Sequence, residues 1–191
     1  MASEVKRRLV HVSGTGVPAL YLLDLLTWEQ LRLMLVLGSA VALVLEIIRL
    51  LVGLDWRIYD ELTRSYEQDN IAGYALYFFG MTVTAWAFEP RVAIPAMLML
   101  TIADPISGLL GSGELGIKAI HTLLVTFAVC LVIASLLDLP LPAAVLGALA
   151  ATLADGVKPV VAGYVIDDNL TIPIGAAMAI FLGLQYAPTL V

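Results

Sequence analysis

A chain of 191 residues that is 61% hydrophobic and only 14% charged, with a mean hydropathy of +0.96, lies far outside the range of a soluble domain with a water-facing shell. Its formal net charge of −6, with only three lysines and with most acids in loops or at helix ends, excludes a basic surface for nucleic acid and suits a salt-rich cytoplasm. The single cysteine, Cys130, falls in an apolar run without an intrachain partner, so disulfides contribute nothing and the thiol reads as packing.

Apolar runs separated by short polar breaks predict an all-α, polytopic membrane protein in one domain, residues 1–191, with about seven transmembrane helices of the length a bilayer core requires. The runs cover residues 11–26, 31–53, 71–88, 92–110, 117–137, 141–163 and 170–191. The apolar region after Lys6-Arg7-Arg8 is broken by His11, Gly14, Gly16 and Pro18 and has no small-residue cleavage site, so the start reads as mature chain rather than signal peptide. With the N-terminus inside, the cytoplasmic face receives Lys6, Arg7, Arg8, Arg49, Arg57, Arg64 and Lys118, against Arg32 and Arg91 outside. The positive-inside rule therefore predicts an N-in, C-out protein of the cell membrane, with any active site facing the cytoplasm.

In chain order, residues 4–11 are charged on one side and apolar on the other and read as an interfacial lead-in, with His11 either an interfacial histidine or a phosphate contact. In the second run Glu46 and Arg49 share a helical face and read as a self-neutralising pair. Gly73 and Gly80 in the third predict a tight helix contact. The stretch 101–118 is the anomaly. It puts Asp104, Pro105, glycines and Lys118 at the end of an apolar run, and an ionised carboxylate in hydrocarbon costs at least ~2.5–3.5 kcal/mol. Only twelve residues, 92–103, precede Asp104, roughly 18 Å of helix against the ~30 Å hydrocarbon thickness, so the acid is recessed. Pro105 disfavours helical geometry at Asp104, which predicts irregular backbone in protein or beside an aqueous cavity.

Thr152-Leu-Ala-Asp155-Gly-Val157 echoes Thr101-Ile-Ala-Asp104-Pro-Ile106, a possible trace of an internal repeat. Glu46, Asp104 and Asp155 come at comparable depth, which predicts a shared polar cavity. Lys158 lies three residues after Asp155 and reads either as its ion-pair partner or as an anion contact. Asp167-Asp168-Asn169 precedes a helix with Pro173 in its first turn; Asp168 or Asn169 could be an N-cap, or the two acids could hold a divalent cation while free backbone donors receive phosphate. Recessed acids, lysines and a glycine-rich break on one membrane face fit phosphoryl transfer, in which Mg²⁺ and lysine neutralise phosphate and an acid orients the attacking hydroxyl.

The sequence resembles the dolichol kinase and CTP-dependent polyprenol kinase family, related to phytol kinases and phosphatidate cytidylyltransferases, as a divergent member of archaeal type. The resemblance rests on Arg7-Arg8-Leu-Val-His11, Glu46-Ile-Ile-Arg49, Gly73 with Tyr77-Phe-Phe-Gly80, Ala103-Asp104-Pro-Ile-Ser107-Gly108-Leu-Leu-Gly111 and Asp167-Asp168-Asn169-Leu-Thr-Ile-Pro173. It implies nucleotide and metal contact at Asp104, Ser107, Gly111, Lys118, Asp167, Asp168 and Asn169, with the motif's last glycine displaced to Gly116, and it leaves open which carboxylate is the base. Joined to the reading of the residues themselves, the expectation is phosphate contacts that also include Gly108 and Lys158, Mg²⁺ on Asp167, Asp168 and Asp104, catalytic roles for Asp104, Asp155 and Lys118, CTP as donor and a lipid alcohol in the bilayer as acceptor. Where the family usually continues after its lysine with a Glu-Gly element, this chain has His121-Thr122, so His121 or another acid must substitute, or the alcohol or the activity differs. A cytidylyltransferase making a CDP-lipid is the alternative within this chemistry; a cation-coupled transporter or lipid flippase, with Glu46, Asp104 and Asp155 as ion ligands, is the alternative outside it.

Overall fold

The computed structural model describes residues 9, 11–53, 63, 67, 70–111, 116–157, 159–161 and 164–186. The described residues are helical apart from short connections and one two-residue strand pair, and a helix falls within each apolar run. The helices are α1 (Gly16–Leu22), α2 (Trp28–Ile47), α3 (Gly73–Ala87), α4 (Pro90–Leu98), α5 (Asp104–Leu110), α6 (Ile120–Leu136), α7 (Leu141–Gly156) and α8 (Asp168–Tyr186). A π-helical turn, Ile48–Val52, extends α2, and a second, Met99–Ala103, joins α4 to α5. Three of the continuous helices, Trp28–Leu51, Pro90–Leu110 and Asp168–Tyr186, are long and apolar enough to cross a membrane, which marks this as a membrane protein.

The distribution of polarity supports the same conclusion. Leu33, Leu37, Val41 and Val44 of α2 and Leu124 and Leu136 of α6 face outward, while Glu46, Asp155 and Asp168 are buried. Water does not favour that arrangement; lipid does. The α4–α5 helix is the central post, with 78% of its apolar window buried. Around it α8 packs on α7, α3 and α4, α6 packs on α7, and α2 packs on α3. Small residues permit this closeness: a Cβ on Gly183 would lie 2.5 Å from the Ala143 Cα, and one on Gly147 would lie 2.5 Å from Ile180 Cγ1, so α7 and α8 meet almost backbone to backbone. The expected α3 contact is present too, since a Cβ on Gly80 would lie 2.6 Å from the Asn169 carbonyl oxygen.

The sixth run does not remain helical to residue 163. It stops at Gly156, and the chain turns back through β1 (Val160–Val161) and β2 (Tyr164–Val165), paired antiparallel. The helix loses its continuation at Val157, whose φ of −133° and ψ of 118° are extended, as suits a β-branched residue after glycine. At the opposite end of α2, Thr27 and Gln30 form a reciprocal capping box, and the Arg32 guanidinium lies 5.4 Å and 5.3 Å from the Trp28 and Trp86 ring centroids. That end carries cation and indole together, the composition of an interfacial belt.

Candidate functional site

Asp104 is helical, with φ −63° and ψ −47°, rather than the irregular residue its neighbour Pro105 led us to expect. The π-helical turn explains the difference. Its wider loop shifts the hydrogen-bond register so that α5 begins at Asp104 with Pro105 in its first turn, and the N–H that Pro105 lacks falls opposite the Leu100 carbonyl of the π turn. The helix thus delivers a carboxylate to the interior about 21 Å along the rise from Pro90.

Asp155 arrives from the last turn of α7 and is 1% exposed. Lys118, in the connection before α6, donates from Nζ to Asp155 Oδ1 at 2.6 Å and to Ser107 Oγ at 2.9 Å, and Ser107 donates to Asp155 Oδ2 at 2.5 Å. Thr126 Oγ1 lies 3.5 Å from the same Oδ2. The Lys118 amide also donates to the Gly156 carbonyl at 3.2 Å, which fixes the connection against the end of α7. Asp168 opens α8, at the helix end whose unpaired N–H groups favour a negative charge. One ligand oxygen from each of Asp104, Asp155 and Asp168 falls within 4.8 Å of the others. The acids of the two echoing stretches, Thr101–Ile106 and Thr152–Val157, therefore meet.

Asp167 does something else. Its Oδ1 accepts from the Asn169 amide at 3.0 Å and from Asn169 Nδ2 at 2.6 Å, making it the N-cap of α8, and it lies outside the group of three. Asn169 is buried against Gly73, where a Cβ would lie 2.8 Å from Nδ2. Glu46 does not share the cavity of Asp104 and Asp155, and that expectation is corrected. Its carboxylate is held bidentately by Arg49 at 3.0 and 2.7 Å, by the Ala72 amide at 3.0 Å and by the Tyr74 hydroxyl, and Arg49 also donates to the carbonyls of Glu67 and Asn70. This cluster ties the end of α2 to the start of α3, as the self-neutralising reading implied.

Gly111 ends α5 in extended backbone, and Gly116 has a φ of 152° that favours glycine; with the half-buried Gly108 they flank Ser107 and Lys118. Lys158 lies outside the described residues. His121 is exposed on α6 and is not among the grouped acids. Three further residues take part: His11, read from the sequence as an interfacial histidine or a phosphate contact, Tyr77, read as lipid or packing contact, and Thr126, to which the sequence reading gave no role. His11 reaches the site with Nδ1 3.5 Å from Asp104 Oδ2 and Nε2 3.1 Å from the Leu100 carbonyl, and Tyr77 packs edge-on against it with ring centroids 4.9 Å apart. Thr126 had a signal: Thr122, Thr126 and Cys130 are spaced by four on an otherwise apolar helix, and all three are buried.

Chemically, the described site is a buried group of three carboxylates, one of them bonded to the Lys118 ammonium and approached by the Ser107 and Thr126 hydroxyls, a donor set suited to a hard cation. Hard cations such as Mg²⁺ take carboxylate oxygens, and Asp104, Asp155 and Asp168, each with an oxygen within 4.8 Å of the others, are the residues that would hold one after the side chains close in. The cavity lined by Tyr21, Arg91, Pro95 and Leu137 belongs to the other end of the central helix and contains no carboxylate. Compared with protein-family models, curated proteins and solved structures, the chain matches none.

Proposed function

We propose that this protein is a CTP-dependent kinase of a membrane lipid alcohol, dolichol or another polyprenol, working at the cytoplasmic face of a seven-span, N-in, C-out bundle. The observation that carries the reading is the meeting of Asp104, Asp155 and Asp168 from three helices, with Lys118 and Ser107 bonded into the same buried pocket. Three carboxylates and one ammonium are what a polyphosphate with its divalent cation requires, and a purely structural ion pair requires only one of each. The spacing Asp104, Ser107, Gly111 supports nucleotide recognition through the family resemblance. Orientation follows from the basic residues: the end of the bundle that holds the acids also holds Arg49 and Lys118, while Arg32 and Arg91 lie at the other.

Asp104, Asp155 and Asp168 would hold Mg²⁺, which when bound supplies neutralisation of the phosphate oxygens. Lys118 contacts the transferred phosphate, with Lys158 in a supporting role; Ser107, Gly108, Gly111, Gly116 and Asn169 shape the nucleotide side. Asp104 orients the alcohol, because each Asp155 oxygen already accepts one hydrogen bond, from Lys118 or Ser107, and has only its second lone pair left for the cation. The lipid oxygen attacks the γ-phosphorus, the bond to the β–γ bridging oxygen breaks, CDP leaves, and the hydroxyl proton departs to the carboxylate side.

The test is purified protein in detergent with Mg²⁺, dolichol and CTP labelled at the γ- or the α-phosphate. Lipid carrying the γ label supports the kinase. Lipid carrying the α label replaces it with the CDP-lipid synthase, and no labelled lipid from folded protein removes both and leaves ion-coupled transport.

A further inference from the structure

The π-helical turn creates one unusual acceptor. In π geometry the carbonyl of residue i pairs with the N–H of residue i+5, and for Leu100 that residue is Pro105, which has none. Leu100 O is instead bonded by His11 Nε2 at 3.1 Å, across 89 residues of sequence. A carbonyl can only accept, so Nε2 carries the hydrogen, and in the neutral imidazole Nδ1 is the bare nitrogen. The tautomer of His11 is thus set by the helix defect next to Asp104.

Nδ1 faces Asp104 Oδ2 at 3.5 Å, well beyond the 2.7–2.9 Å of a charge-assisted hydrogen bond, and the two side chains are only 14% and 12% exposed. With the hydrogen on Nε2, Nδ1 and Asp104 Oδ2 present two acceptors side by side, and an O–H donor placed beside them can bond to both. The ring is held in place from its other side by Tyr77, whose hydroxyl packs against Gly14 where any Cβ would collide with it. The His11 ring is therefore oriented by two contacts, with Leu100 and Tyr77, while its backbone carbonyl accepts from the Gly14 amide at 3.1 Å, and none of these uses Nδ1.

We propose that His11 is the positioning residue for the acceptor: its Nδ1 and Asp104 Oδ2 together receive the hydroxyl of the lipid alcohol and aim its oxygen at the nucleotide. This rests on the kinase reading and adds the acceptor subsite to it. It also gives residue 11 a task beyond an interfacial lead-in, since its ring joins the acids carried by α5, α7 and α8.

Two isosteric replacements separate this from a merely structural histidine. His11→Asn keeps an acceptor at the Nδ1 position and loses the donor to Leu100, whereas His11→Gln keeps a donor at the Nε2 position and loses the acceptor. Positioning predicts that His11→Gln lowers kcat/KM for dolichol by about 10²-fold, the scale of a misplaced reactant, while His11→Asn stays within about ten-fold of the parent and CTP binding is unchanged in both. If His11→Asn falls as far as His11→Gln or further, the subsite is wrong although the kinase reading stands. Absence of dolichol phosphorylation by the unmodified chain removes the kinase reading itself. Because either variant could misfold, the unmodified protein supplies a second measure: dolichyl methyl ether, which lacks the O–H donor, should compete at least ten-fold more weakly than dolichol, and equal competition overturns the proposal.

Discussion

The Lys118–Asp155 pair gives the most quantitative handle on the site. At an effective dielectric of about 20, an ammonium 2.6 Å from a carboxylate is attracted by about 6 kcal/mol, and two carboxylates within 4.8 Å repel by at least about 3.5 kcal/mol per pair, before desolvation is counted. Among the described residues Lys118 is the cation bonded within this group of acids, and Lys118→Met leaves Asp155, at 1% exposure, with Ser107 as its close donor. Breaking a buried pair from one side costs about 3–5 kcal/mol. Asp155→Asn is milder, because an amide oxygen still accepts from Lys118 and the mutual repulsion of the acids falls, so about 1–3 kcal/mol is expected. The double variant removes both charges and should be more stable than the sum of the singles by about 2 kcal/mol or more. Unfolding in detergent, in excess chelator so that no divalent cation supplements Lys118, measures all four corners of the cycle. Additivity within about 0.5 kcal/mol would refute the reasoning, since it would mean that the two groups do not meet.

Gly183→Ala forces a Cβ to within 2.5 Å of the Ala143 Cα and should cost about 1–3 kcal/mol by parting α7 from α8, whereas Gly175→Ala on the same helix meets nothing within 4 Å and should stabilise by about 0.5–1 kcal/mol; paired unfolding curves in detergent check the contrast. Glu46→Gln removes the charge that Arg49 grips bidentately and should lower stability by about 1.5–3 kcal/mol while leaving divalent-cation affinity in place, which separate unfolding and binding titrations would show.

The helices were legible because lipid-facing runs announce themselves by length and composition: α7 begins at Leu141, where the sixth run begins, and Cys130 is packing. The recessed acid at Asp104 was legible from counting rise against bilayer thickness. Partnership was not. Lys118 meets Asp155 across 37 residues, a choice between Lys118 and Lys158 that spacing along one helix cannot make, because short-range rules see only the nearer lysine. Asp167 and Asp168 look equivalent as text, yet one caps the helix backbone and the other opens the helix toward the acids, and which does which depends on where α8 starts. For Glu46 the two readings of the sequence compete, and the local one holds: Arg49, one turn on, neutralises it, while comparable depth along the helix does not bring it into the group of Asp104, Asp155 and Asp168. The π-helical turn that keeps Asp104 helical and recruits His11 has no sequence signature beyond the proline that follows it.

The central claim is that Asp104, Asp155 and Asp168 form one divalent-cation site. Mn²⁺ titration of the purified protein, followed by electron paramagnetic resonance in detergent, tests it without reference to turnover. Saturable binding should weaken by ten-fold or more, the scale of about 1.4 kcal/mol, in each of Asp104→Asn, Asp155→Asn and Asp168→Asn, and by less than that in Asp167→Asn, whose carboxylate caps α8. Unchanged affinity in Asp155→Asn, or loss confined to Asp167→Asn, would contradict the account.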